Sequence, residues 1–261
     1  MYNQKTSLIR LDFGTNTKVN DKIYTFYRDK FFNHFTHIHC PSSFIANELK
    51  KHGYTANLHV ISNGISSDFH YLKKEKTGAL KNTFVITMIG RYSNEKRQDL
   101  LIEAVRKCKY ENNIQIVLAG KGLNEEKYIK MGKNLTNPPI LKFFAKEELL
   151  ELLSMTDLYT HCADAEIEAI SCIEAFACGI VPIISNSPKS ATPQFAIDER
   201  SLFEAGNSSD LARKIEYWIE HETQRKQMER EYATKAEDYR MEKSMEKIEE
   251  MFQDAINELR N

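Results

Sequence analysis

The chain has 261 residues, with 36 Lys+Arg against 37 Asp+Glu, 41% hydrophobic and 28% charged residues. This is an ordinary composition for a folded protein, and it excludes a peptide-sized scaffold and, by its neutrality, argues against a dedicated nucleic-acid binder. No apolar run approaches the ~18–20 residues of a membrane-spanning helix, and the opening MYNQKTSLIR has no apolar stretch after a basic one, so neither a span nor a secretion signal is expected.

The protein is therefore expected in the cytosol or on the cytosolic face of a membrane. Its charge is uneven: residues 1–81 hold 12 Lys+Arg and 6 Asp+Glu, a surplus of six that leaves −7 for the remaining 180. A basic end favours an anionic membrane surface or anionic ligand, and an incidental imbalance is the alternative.

Taken in chain order, IYTFYRDKFFNHF puts Ile23, Tyr24, Tyr27, Phe31 and Phe35 on one face at helical spacing, read as core ahead of a membrane anchor. THIHC (36–40) reads as a short strand ending at Pro41, and Ser42 or Ser43 caps a helix FIANELKKHG that stops at Gly53. His34, His37 and His39 lie close together there, a weak signal for a metal site. A further strand, LHVIS, runs into the turn Asn63-Gly64, and a domain boundary is placed near 64–80.

Beyond it, strand-like runs at 84–90, 114–120, 140–144, 158–161 and 181–185 alternate with helical stretches at about 97–109, 123–133, 146–155 and 171–178. Alternation with near-continuous apolar strands predicts an α/β domain, a doubly wound parallel sheet covered on both faces, with ligands at the carboxyl ends of its strands. The chain closes in terminal helices, the last with Met241, Met245, Ile248, Met251, Phe252, Ile256 and Leu259 at three-to-four spacing, expected to fold back. The cysteines Cys40, Cys108, Cys162, Cys172 and Cys178 form no C-x-x-C pair and read as buried thiols.

Two segments carry chemistry. GRYSNEKRQDLLIEAV places Gly90, Arg91 and Lys96 in a loop opening a helix, where two cations beside a helix start suit a phosphate or diphosphate; solvated loop charges are the alternative. GKGLNE at 120–125 lacks the third glycine of G-x-G-x-x-G, so nicotinamide binding is a poor reading. In ADAEIEAISCIEAFACGIVPIIS, Glu166 and Glu174 stand eight positions apart with Glu168 between them. A helix starting near Ser171 would put Glu174 in its first turn, facing the crevice of Arg91 and Lys96. Carboxylates accept hydrogen bonds from sugar hydroxyls, so the set fits a nucleotide-sugar, with helix-start charges lacking a ligand as the alternative.

These segments resemble family-4 glycosyltransferases of the GT-B fold. GRYSNEKRQDLLIEAV is similar to their G-R-x-x-x-E-K-G-x-D-L-L-I-x-A segment, and Glu166 to Glu174 with AFACGIVPII to their E-x7-E and E-A-x-A-C-G-x-P-V segment. HVISNGI (59–65) looks like their interlobe linker, and CPSSFIANELKKHG like the last helix of their N-terminal lobe. The resemblance covers roughly 36–235 and is nearest to bacterial diacylglycerol-type lipid glucosyltransferases. It implies a remnant of the acceptor-side lobe at 1–70, a donor-binding domain at 71–235 and a returning C-terminal helix at 236–261.

By that resemblance, Arg91 and Lys96 hold the donor diphosphate, Glu174 the ribose and Glu166 the hexose, while backbone N–H groups near Ile170, Ser171 and Cys172 reach the phosphates. It also implies retention of the anomeric configuration, a UDP-hexose donor, a lipid or glycan acceptor and no metal or other cofactor. The sequence departs from the family in three places. IEAISCI replaces G-F-G-L-P between the glutamates, leaving Glu166 or Glu168 as the functional acid. Arg97 stands where glycine is common. Only 62 residues precede Asn63-Gly64, well under a typical domain of about 100–150, so most of an acceptor lobe is expected to be missing and the alternative is a catalytically incomplete donor-binding module.

Overall fold

The computed structural model describes residues 17–260; the MYNQKTSLIR segment and the side chains of Ile23, Tyr24 and Leu259 lie outside the described residues. The chain divides into two compact units, one of residues up to Gly64 together with Met241 onward, the other Ile65–Arg240.

In the first unit, α1 (Thr17–Lys30) stops before the aromatic run ends, and Phe32–His34 forms a 3₁₀ turn. The predicted helix to Phe35 is thus cut short, and Phe32, off the predicted stripe, is the buried aromatic, edge-on to Tyr54 at 5.5 Å. β1 (His37–Cys40) leads to α2 (Ser43–Lys51), whose N-cap is Ser42: its hydroxyl accepts from Ile45 N at 3.3 Å. β2 (Asn57–Val60) pairs in parallel with β1. The strand histidines meet protein groups: His37 Nδ1 lies 2.8 Å from His59 Nε2, and His39 Nε2 2.6 Å from the Ile61 carbonyl.

The second unit is built on β3 (Phe84–Ile89), α3 (Gln98–Lys107), β4 (Ile114–Ala119), α4 (Glu125–Gly132), β5 (Ile140–Lys142), α5 (Lys146–Ser154), β6 (Leu158–His161), α6 (Ile170–Ala177) and β7 (Val181–Ser185). A two-residue β8 (Leu202–Phe203), too short to show a pattern in sequence, completes a sheet of order β5-β4-β3-β6-β7-β8, every pair parallel. The period of two divides the strand side chains between two cores. Ile86, Met88, Ile116 and Leu118 join residues of α3 and α6 in one, while Val85, Val117 and Ala119 pack with Leu80 and Leu152 in the other. Burial on both faces is why these strands read as continuous apolar runs.

α7 (Ser208–Glu220) and α8 (Glu222–Ala236) finish this unit, α7 packing on α3 and α8 on α6. Ile65 and Phe69 are buried in the same core, and the larger compact unit begins at Ile65. α9 (Met241–Arg260) returns to the first unit, where Glu258 meets His37 Nε2 at 3.0 Å and Asn57 Nδ2 at 3.1 Å. Its apolar stripe is only partly used: Met251 is buried, whereas Met245 and Phe252 are exposed.

The strand order reverses between β3 and β6, because the chain winds outward from β3 through β4 to β5 and then resumes on the other side of β3. That is where a crevice opens at the carboxyl ends of a doubly wound sheet. Its floor is pinned by backbone bonds beyond the strands, Gly90 N to Ala119 O at 3.0 Å and Gly120 N to Lys142 O at 2.9 Å. Gly120 is required there, since a Cβ would lie 2.0 Å from the Gly90 carbonyl oxygen. Gly120→Ala is expected to lower stability by about 1–3 kcal/mol in urea denaturation; unchanged stability would show that the loop gives way freely.

Candidate active site

The loop after β3 is tied down at several points. Asn94–Lys96 forms a 3₁₀ turn, and Arg97 then takes φ 58°, ψ 42° before α3 begins. That left-handed conformation explains why a glycine suits the position: an L side chain there costs roughly 1–2 kcal/mol. Arg97 is anchored in return, its guanidinium 3.4 Å from Asp99 and 3.3 Å from Asp164. Behind the loop, Gln98 Nε2 donates to Arg91 O at 2.9 Å, and the Tyr128 hydroxyl donates to Gln98 Oε1 at 3.0 Å.

A second loop, after β6, lies against it. Asp164 N donates to Glu95 O at 2.9 Å and the Ser187 hydroxyl to Asp164 O at 2.6 Å, while Ala191 N donates to Glu166 O at 2.9 Å. Glu166 is therefore held through its backbone from one side and its loop from the other. Ala169 at the start of α6 has φ 65°, ψ 65°, the second non-glycine residue in the left-handed region, and it too stands in the stretch where the resembled family has G-F-G.

Lys96 Nζ donates to Glu166 Oε1, joining the two loops at the point where the strand order reverses. His161, at the end of β6 and 1% exposed, places Nε2 3.3 Å from the same oxygen. Burial by itself would raise the Glu166 carboxyl, but His161 and Lys96 outweigh it and hold it at about 2. The relay continues away from the crevice: His161 Nδ1 is 3.2 Å from the Tyr159 hydroxyl, which is 3.1 Å from the Ser171 hydroxyl.

The other candidates are placed differently. Arg91 has 61% of its side chain exposed, with Glu95 3.5 Å away. Glu168 is buried, and Glu166 is the acid that faces Lys96. α6 begins at Ile170, which puts Glu174 just past the first turn and not in it. Burial raises the Glu174 carboxyl, and Lys146 on α5 pulls it down. Cys172 N already donates to Ala169 O at 2.9 Å, so the helix-start donors are the N–H groups of Ile170 and Ser171. All five cysteines are buried and free.

Beside this centre a cleft of about 380 Å³ opens at the carboxyl ends of β3, β4 and β5, lined by Gly90, Arg91, Gly120, Lys121, Phe143 and Phe144 among others. Lys121 Nζ stands 4.9 Å from the Phe143 ring centroid. Aromatic and aliphatic walls beside the cations Arg91 and Lys121 can take a flat apolar group with an anion attached. His161, Tyr159, Lys121 and the two phenylalanines were not singled out in the sequence; ILKFF ending at the carboxyl edge of a strand was the available signal for the last two.

The model of the group 1 glycosyl transferases matches residues 71–236, and the chain belongs to that family. It is 49% identical to the catalytic domain of cholesterol-alpha-glucosyltransferase from Helicobacter pylori over 60% of this chain and 98% of that one, with a TM-score of 0.58. A structure of Anabaena HepE in complex with UDP-glucose shares the fold, at TM-score 0.76 and 18% identity over 90% of this chain and 68% of that one. Among curated proteins it is 27% identical to N-acetyl-alpha-D-glucosaminyl L-malate synthase of Bacillus anthracis over 198 residues, 74% of this chain. The chain spans about half, 51%, of that relative's length.

Two stability measurements probe the site. Glu166 is lowered from 4.5 to about 2 on folding, so its contribution is complete above about pH 5 and is lost as the pH falls towards 2. Urea midpoints of the wild type are expected to drop across that window more steeply than those of Glu166→Gln; parallel slopes would place the carboxyl elsewhere. Ala169→Gly is expected to raise stability by about 1 kcal/mol by relieving the left-handed strain, and a loss would mean that packing of the Ala169 methyl dominates.

Proposed function

We propose that this chain binds UDP-hexose, most simply UDP-glucose, and transfers the hexose with retention to a lipid acceptor of the sterol class. The observation that carries the donor reading is the meeting of Lys96 and Glu166 at the switch point of the sheet, with the apolar cleft beside them. The sterol class rests on the Helicobacter relative.

In this reading Arg91 and Lys96 bind the diphosphate, joined by the Ile170 and Ser171 N–H groups, and the base lies against Phe143 and Phe144. Glu174 takes the ribose hydroxyls and Glu166 a hexose hydroxyl. As the bond from the anomeric carbon to the diphosphate breaks, negative charge grows on the departing UDP. Arg91 and Lys96 offset it, so the work is leaving-group stabilisation and positioning, and no metal is called for. No helix among the described residues is long and apolar enough to cross a membrane. Peripheral contact with an anionic bilayer on its cytosolic side belongs to the same proposal, supported by the basic surplus of residues 1–81 and by exposed Phe26 between Lys22 and Lys30 on α1.

The test is calorimetric titration with UDP, UDP-glucose, UDP-galactose and GDP-mannose, followed by transfer assays on sterol, diacylglycerol and glycan acceptors. Lys96→Ala is expected to weaken every UDP ligand by about 1.5–3 kcal/mol, the scale of one charge-assisted phosphate contact. Glu174→Gln is expected to weaken UDP itself, whereas Glu166→Gln spares UDP and weakens UDP-glucose. Equal effects on both ligands would contradict the division of roles, and donor binding with no transfer to any acceptor would make the chain a donor-binding module.

A further inference from the structure

The donor reading asks Lys96 to serve a diphosphate, yet its ammonium is engaged by Glu166, whose side chain is only 9% exposed. If Lys96 turns to the phosphates, that carboxylate is left in a desolvated site next to an added anion, and both burial and like charge disfavour this. Another donor has to meet it.

His161 is in place to do so. Nε2 lies 3.3 Å from the oxygen that Lys96 holds, in a ring 1% exposed, and it lacks an aligned hydrogen-bond acceptor. Because the ionised Glu166 can only accept, the ring hydrogen belongs on Nε2, and the relay is compatible with that tautomer, Nδ1 accepting from Tyr159 and the Tyr159 oxygen from Ser171. A small rotation of the carboxylate would convert the misaligned contact into a hydrogen bond.

We propose that His161 is a positioning residue that takes over Glu166 when Lys96 moves to the donor diphosphate, with Tyr159 and Ser171 holding the imidazole for that exchange. This deepens the donor reading and rests on it. It adds a role for three side chains at the end of β6 and the start of α6, namely His161, Tyr159 and Ser171.

The experiment is a double-mutant cycle read by titration with UDP and UDP-glucose, with thermal melts to confirm folding. His161→Phe is expected to weaken both UDP and UDP-glucose about tenfold to a hundredfold, the range of a charge-assisted hydrogen bond, because both carry the diphosphate that draws Lys96 away. His161→Gln, whose side-chain amide can present an N–H where Nε2 stood, is expected to recover most of that. On an E166Q background His161→Phe is expected to cost nothing further. Tyr159→Phe, which frees the tautomer but keeps the imidazole, is expected to show a smaller loss that E166Q also abolishes, and it carries the test if His161→Phe fails to fold. The same loss with and without E166Q, or no loss at all while the wild type binds donor, would overturn the role of His161 alone. A wild type that binds neither UDP nor UDP-glucose would overturn the donor reading and this proposal with it.

Discussion

A carboxylate buried to the extent of Glu166 is costly to keep ionised unless a donor meets it; Lys96 Nζ does so, and His161 Nε2 stands 3.3 Å from the same oxygen. Much of the surrounding structure serves to bring that contact about. Lys96 needs a tight turn after β3, which Arg97 completes in a left-handed conformation; Glu166 needs the loop after β6, which Ala169 ends in another. Breaking either loop would leave one charge buried without its partner, so the two loops stand or fall together.

The opposite end of the same strands carries a different kind of charge cluster. Asp157 accepts from Val85 N at 2.7 Å and from Lys76, and Arg225 and Glu229 on α8 complete a buried group with Lys73. Burial lowers Lys73 and raises Glu229, each opposed by its neighbours. Because ligands of doubly wound sheets bind at the carboxyl ends, this cluster at the amino ends fastens α8 to the sheet while the site lies at the other edge. Two buried ionic groups, similar in make-up, thus differ in role by their position along the strands.

Most of the architecture of the larger unit was legible in the residues. Continuous apolar runs such as FVITMI and IQIVLA announce strands buried on two faces, and the alternation with helices announces their parallel order. The aromatic run 23–35 misled because helical spacing alone does not say where a helix stops: α1 ends at Lys30 and the chain tightens to bury Phe32. β8 escaped because two residues carry no period. Cys172 was named for a backbone donor that the first turn of α6 consumes, a matter of where the helix begins to within one residue.

By itself the sequence determined the fold class and the family, since these reside in periodicity and in motifs read along the chain. Only the tertiary structure decided which charges meet. Glu166 and not Glu168 faces Lys96, and Glu174 lies in the field of Lys146. His161, closing β6, comes within 3.3 Å of Glu166 because the loop after β6 turns back over the strand end, while β6 lying beside β3 brings Lys96 to the same carboxylate. The reason is geometric: strand order and a one-residue shift in a helix start place side chains across distances that linear spacing does not encode.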